Sequence, residues 1–162
     1  MPPPESKLEL TGKDRILSLA EVQAFSGKKN VALKAKARQS STAFDGPANL
    51  AVDGNPNGHY FEAKSTTHTA TEENPWWEVD LGKDTQIDRV VIWNRTDSDL
   101  GLKRLNNFTV TVLDDQDPVI GFGPQAASNG KARGALPAVG SAARSQSAGL
   151  PRGRGRRGLR QR

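Results

Sequence analysis

The 162-residue chain has no cysteine, so neither a disulfide framework nor a thiolate metal site can form, and a bound metal would have to be held by oxygen or imidazole. Imidazole is almost as scarce: His59 and His68 are the two histidines. With no thiol, two candidate bases, no G-x-S-x-G turn and no zinc-protease spacing, the sequence offers no catalytic set. The paired carboxylates Glu72 and Glu73 fall in a polar turn and read as solvated. No apolar run approaches the ~18 residues of a membrane span, and the opening Met1-Pro2-Pro3-Pro4 lacks the apolar stretch of a signal peptide. No membrane insertion is expected.

Acidic residues are missing from one whole region. After Asp117 there is no Asp or Glu, whereas nine of the 23 Lys and Arg lie there, so the first 117 residues carry −4 and the remainder +9. The pI of 9.7 is therefore a property of the tail. Large apolar residues are spread through the first 117 positions, and residues 118–162 are mostly Gly, Ala, Pro, Ser, Gln and Arg, a composition too poor in apolar side chains to fold. This tail is expected to be disordered. Its Arg152-Gly153-Arg154-Gly155-Arg156-Arg157 could attract nucleic-acid phosphates without sequence preference. It has no aromatic interleaving beyond Phe122, however, and the abrupt change of composition looks like a shifted reading frame, which disfavours nucleic acid as a partner.

The body reads as strands. Residues 8–10 and 16–25 alternate apolar with polar around a Gly12-Lys13-Asp14 turn. Leu17, Ala20 and Glu21 are good helix formers, but the 3.6-residue periodicity is weak. Residues 31–33 and 37–42 suggest extended segments, and residues 76–81, 87–93 and 108–113 are rich in β-branched and aromatic side chains. In Trp76-Trp77 at least one ring must point inward, because adjacent strand residues face opposite sides. Short strands without a convincing amphipathic helix predict an all-β antiparallel sandwich.

Residues 49–71 form a loop-like stretch, long for a small domain, and long ordered loops are commonly functional or ion-held. Asp53, Asn55, Asn57 and Ser65 offer oxygens that suit Ca²⁺, though not at EF-hand spacing. By spacing alone, an Asn/Gly turn whose side chains cap their own backbone is the commoner arrangement. His68, Arg95 and Arg104, with Asp97 placed to orient an arginine and Tyr60-Phe61 as flat apolar faces, are the residue types a saccharide site uses.

Taken in order, Asn30-Val31-Ala32-Leu33, Gln39-Ser40-Ser41-Thr42, Ala51-Val52-Asp53-Gly54-Asn55, Thr67-His68-Thr69, Asn74-Pro75-Trp76-Trp77-Glu78-Val79-Asp80-Leu81 and Asn94-Arg95-Thr96-Asp97 resemble a fucolectin domain of the galactose-binding-like, F5/8 type C superfamily. The resemblance covers roughly residues 28–115. It implies a jelly-roll-like antiparallel β-sandwich, extracellular or in the cell envelope, that binds fucosylated or related glycans without catalysis. It assigns sugar contact to His68, Arg95 with Asp97, and Arg104, and a calcium ion to Asp53, Asn55, Ser65 and the Leu50 backbone. The family's adjacent cysteines between the two arginines are replaced by Ser98-Asp99-Leu100-Gly101-Leu102-Lys103.

The family's last calcium ligand, a Glu on a closing strand, has no counterpart after the domain. Residues 17–25, Leu-Ser-Leu-Ala-Glu-Val-Gln-Ala-Phe, resemble that strand ahead of it. Residues 1–27 are thus either the end of a preceding repeat or a permuted strand segment whose Glu21 completes the ion site. Residues 28–117 form the C-terminally incomplete domain, and residues 118–162 the tail. Two other functions stay open: a degenerate sandwich used for adhesion or protein contact, and nucleic-acid binding through the tail.

Overall fold

The computed structural model describes residues 5–83, 85–113, 118–119 and 131–135. Its strands are β1 (Glu5–Leu10), β2 (Leu19–Ser26), β3 (Lys29–Asn30), β4 (Lys36–Gln39), β5 (Trp76–Asp80), β6 (Arg89–Asn94), β7 (Phe108–Leu113), β8 (Pro118–Val119) and β9 (Lys131–Ala135). They form two antiparallel sheets, ordered β4-β5-β1-β7-β8 and β3-β2-β6-β9. The all-β sandwich expected from the patterning is what forms.

The N-terminal segment folds back into this sandwich. β1 lies between β5 and β7, and β2 between β3 and β6. Alternation explains why: Leu8 sits opposite both Trp77 and Val110, and Leu10 opposite Phe108, so one face of the first sheet presents a continuous apolar row. Trp77 is 1% exposed, with its indole N–H donated to the Ala48 carbonyl, whereas Trp76 faces outward under the Lys7 ammonium. Val22, Ala24, Val90 and Ile92 line the facing side of the second sheet and join the same core. Truncating Trp77 to Ala would cost about 3–5 kcal/mol by transfer and cavity terms.

Several boundaries differ from the sequence expectation. The strand expected over 16–25 begins at Leu19, because residues 15–19 pair instead with the 67–72 segment. Thr67 and Thr69 N–H groups donate to the Leu19 and Leu17 carbonyls, their hydroxyls accept from the Leu19 and Leu17 N–H groups, and Arg15 bridges Glu72. The loop 49–71 contains a 3-10 helix, Ala48–Val52, and a one-turn helix, α1 (Tyr60–Ala63). Residues 99–104, for which the sequence patterning assigned no element, form α2 (Asp99–Arg104), whose N-terminus is capped by the Ser98 side chain accepting from the Gly101 N–H. Of the tail expected to lack structure, the described stretches are strands: β8 pairs with β7, and β9 with β6. The remainder of 118–162 lies outside the described residues. Among the described residues no helix is long and apolar enough to cross a membrane.

Candidate carbohydrate and cation sites

His68 is buried and fixed from three directions. Its neighbours Thr67 and Thr69 are held by the N-terminal segment as above, and its own N–H donates to the Gly46 carbonyl. Gly46 cannot be replaced without displacement, since a Cβ there would lie 2.5 Å from the His68 nitrogen and 2.7 Å from its Cβ. The imidazole Nδ1 meets the Thr69 carbonyl at 2.7 Å, and Nε2 lies 3.2 Å from Arg104 Nη1. A carbonyl on one side and a guanidinium donor on the other fix a single tautomer: Nδ1 carries the proton and Nε2 is an acceptor. Burial, and then the Arg104 and Arg95 charges, hold the imidazole below its ordinary pKa of 6.5 despite the Thr69 bond, so it is neutral.

Arg95 follows the end of β6. Its Nε and Nη2 donate to the two oxygens of Asp97 at 2.6 and 2.9 Å, a bidentate pair in which the Asp97 side chain is fully buried. That pairing holds Asp97 below the usual carboxylate range. Its guanidinium lies 4.5 Å from the Tyr60 ring centre and 5.6 Å from that of Phe61. Arg104, at the end of α2, is lowered by burial and by Arg95. The structure thus brings together His68, Arg95, Asp97, Arg104, Tyr60 and Phe61 as the sequence indicated.

One member was missed. Phe44 stands edge-on to His68 with ring centres 4.9 Å apart and is 69% exposed. Phe44 and Asp45 both adopt left-handed backbone, φ 50° and 52°, and the Tyr60 hydroxyl donates to the Phe44 carbonyl. The available signal was a large apolar residue directly ahead of the Asp45-Gly46-Pro47 turn, a place where no core alternation asks for one.

The second cluster centres on Glu21. β2 carries a bulge between Leu19 and Glu21, which turns Glu21 out of the inner face's alternation and toward the loop after the 3-10 helix. Glu21 is 0% exposed, Oε2 accepts from the Gly54 N–H at 3.3 Å, and Oε1 has no hydrogen-bond partner. Burial, with a smaller contribution from Asp53, pushes its pKa from 4.5 up to about 7. Asp53, Asn55 and Asn57 each accept the N–H two residues on, through side-chain oxygens of a continuous turn series, and Ser65 Oγ donates to the Asn57 carbonyl. Of the oxygen donors expected around a cation, Glu21 and Asp53 are adjacent, and Asn55 and Ser65 are tied to the same loop. Leu50 lies within the 3-10 helix, its N–H donated to the Pro47 carbonyl. Among the described residues no group of three His, Cys, Asp or Glu is gathered, so a soft or tightly chelated metal does not fit. An orphaned buried carboxylate oxygen beside a second carboxylate and an oxygen-rich loop does fit a hard cation.

Residues 50–139 match the F5/8 type C family described as NedA-like, galactose-binding domain. The chain belongs to this family. This NedA-like, galactose-binding domain chain is 36% identical over 96 residues to Fucolectin-6 of Anguilla japonica and 39% identical over 75 residues to Fucolectin of Anguilla anguilla. The first alignment covers 51% of this chain and 50% of the relative, the second 43% and 47%, so the chain spans about half the length of the curated relatives it matches. Among solved structures it resembles a Streptococcus pneumoniae fucose binding module, SpX-3, with TM-score 0.60 and 36% identity over 67% of this chain and 77% of that one. It also resembles the lectin domain of lectinolysin complexed with Lewis B antigen, with TM-score 0.63 and 35% identity over 70% and 80%. The family match runs past Asp117, where the composition changes.

Proposed function

We propose that this protein is a non-catalytic carbohydrate-binding module of the lectin type that recognises terminal fucose or a related sugar, with a calcium ion holding its recognition loop. The observation that carries the reading is the convergence of a neutral His68 Nε2 and the Arg104 and Arg95 guanidinium groups beside the rings of Phe44, Tyr60 and Phe61. A sugar hydroxyl both donates and accepts. On binding it can replace the Arg104 N–H at the imidazole Nε2 and accept from the arginine N–H so freed, while the C–H face of the ring lies against an aromatic surface. Asp97 keeps Arg95 in one orientation, so little side-chain freedom is lost on binding. The relatives that are fucolectins and fucose binding modules support the choice of fucose.

Calcium, when bound, supplies positive charge against Glu21 and draws the loop oxygens into one arrangement. The residues that would hold it are Glu21 and Asp53, with Asn55, Ser65 and the Leu50 backbone. Ser65 opens the buried run Ser65–Thr69, so a fixed loop end keeps His68 in register. An extracellular or cell-envelope location, where fucosylated glycans are met, goes with this proposed role.

Titration calorimetry of the full chain with L-fucose tests the reading. Saturable binding that falls at least about tenfold in His68→Ala, ~1.4 kcal/mol, is expected. Equal affinity in the two proteins would rule out the His68 cluster as the sugar site.

A further inference from the structure

Beside the His68 cluster, between the N-terminal turn and the end of α2, lies a groove of about 420 Å³ whose lining includes Asp14, Arg15, Leu100, Lys103, Arg104 and Asn107. Its volume is in the range of small-ligand sites, roughly 300–1,000 Å³. Three cations line it against the single carboxylate of Asp14. Arg15 Nη2 donates to the Asn106 carbonyl at 2.6 Å and the Arg104 carbonyl at 3.4 Å. The carbonyl oxygens that would repel an anion at this end of α2 are thereby capped, and the cationic character is left exposed. Leu100, 67% exposed, adds an apolar wall on one side. Asp14 and Asn107 both sit in left-handed backbone, φ 54° and 56°, so the turns on either side are sharp and fixed rather than extended.

Arg104 is shared by the two places: it lines the groove while its Nη1 reaches His68 Nε2. Through Arg104 the groove adjoins the His68 cluster, so Arg15 and Lys103 are next to hand for a sugar residue beyond one resting on His68 and Arg95. We infer that the groove is a second sugar subsite selective for an anionic residue, a sulfated or carboxylated sugar adjoining the terminal fucose. This deepens, and rests on, the reading of the His68 cluster as a fucose site. The groove's cations and the Leu100 wall match the two characters of such a residue, a charged substituent on a ring with an apolar face.

The test compares L-fucose, the neutral disaccharide fucosyl-galactose, its form sulfated at the galactose primary hydroxyl, and fucosyl-galacturonic acid, each titrated into the full chain. The acidic disaccharides are expected to bind about tenfold more tightly than the neutral one at low salt, the advantage shrinking as salt shortens the Debye length from about 10 Å at 0.1 M. Lys103→Glu is expected to abolish that advantage and leave L-fucose affinity unchanged. A gain for the sulfated form alone assigns the groove to sulfate esters, and a gain for the uronic acid alone to carboxylates. Equal affinity for all three disaccharides, or an advantage indifferent to Lys103→Glu, would overturn the inference. Should L-fucose itself fail to bind, the fucose reading falls and galactose sulfated at its primary hydroxyl is titrated alone. Binding that depends on Lys103 then upholds an anionic-sugar site, and no binding removes it.

Discussion

Two buried carboxylates sit in this molecule under opposite conditions. The Asp97 side chain is buried with both oxygens engaged by Arg95, and its pKa is held low. Glu21 is equally hidden, yet one oxygen is orphaned, the other has a single long bond, and its pKa is raised to about 7. Burial alone raises a carboxylate and a close guanidinium lowers it, so the difference reports what each region still lacks. The Arg95–Asp97 pair is electrostatically complete within the chain. Glu21 keeps an oxygen that nothing in the chain pairs, and it lies on a strand that reaches the sandwich from the N-terminal side.

That contrast can be broken from either side. The largest effect is expected from Asp97→Ala, which strands a buried guanidinium and should lower unfolding free energy by about 3–5 kcal/mol in denaturant titration. Arg104→Ala removes charge-assisted donors and should weaken L-fucose by ~1.5–3 kcal/mol with little loss of stability, read by calorimetry beside a thermal melt. Glu21→Gln discharges the unpaired carboxylate. It should raise the melting temperature in EDTA and abolish any further rise with calcium, whereas a calcium response kept intact would exclude Glu21 as a ligand. His68 supplies a pH signature. Its folded pKa lies below the 6.5 of the unfolded chain, so its contribution is fully present above 6.5 and is lost as pH falls from there through the folded value. L-fucose affinity should be level above 6.5 and decline on the acid side as Nε2 gains a proton. The smallest effect is expected of Phe44→Ala, about 0.5–1.5 kcal/mol in sugar affinity with the melt unchanged.

Much of this was legible because alternation is a strong signal where one face is buried. Trp77, Val79 and the Val90–Ile92 run announced their strands. The His68, Arg95, Asp97 and Arg104 set was legible from residue type and from its match to a known spacing, and the structure brings it together. The bulge at Ala20 was written in the sequence as well: inward apolar positions run 17 and 19, then 22 and 24, a step of three where a regular strand steps by two. It was read as one strand because an odd step looks like noise in a ten-residue window. Short helices such as α2 escaped because fewer than two turns show no period to detect, and Ser98, its cap, is just as much at home in a loop. β9 escaped for a different reason. Lys131-Ala132-Arg133-Gly134-Ala135 has no β-propensity, and its place is set by the free edge of β6 rather than by its own residues. Phe44 escaped because exposed aromatics are recognised as functional only once their neighbours are known.

The most direct test of the central claim is the melting temperature of the full chain in calcium or EDTA, each with and without L-fucose, since a ligand that binds only the folded state raises it. A rise with calcium is expected, and a further rise with L-fucose that is larger when calcium is present. A cooperative melt indifferent to both ligands would contradict the claim.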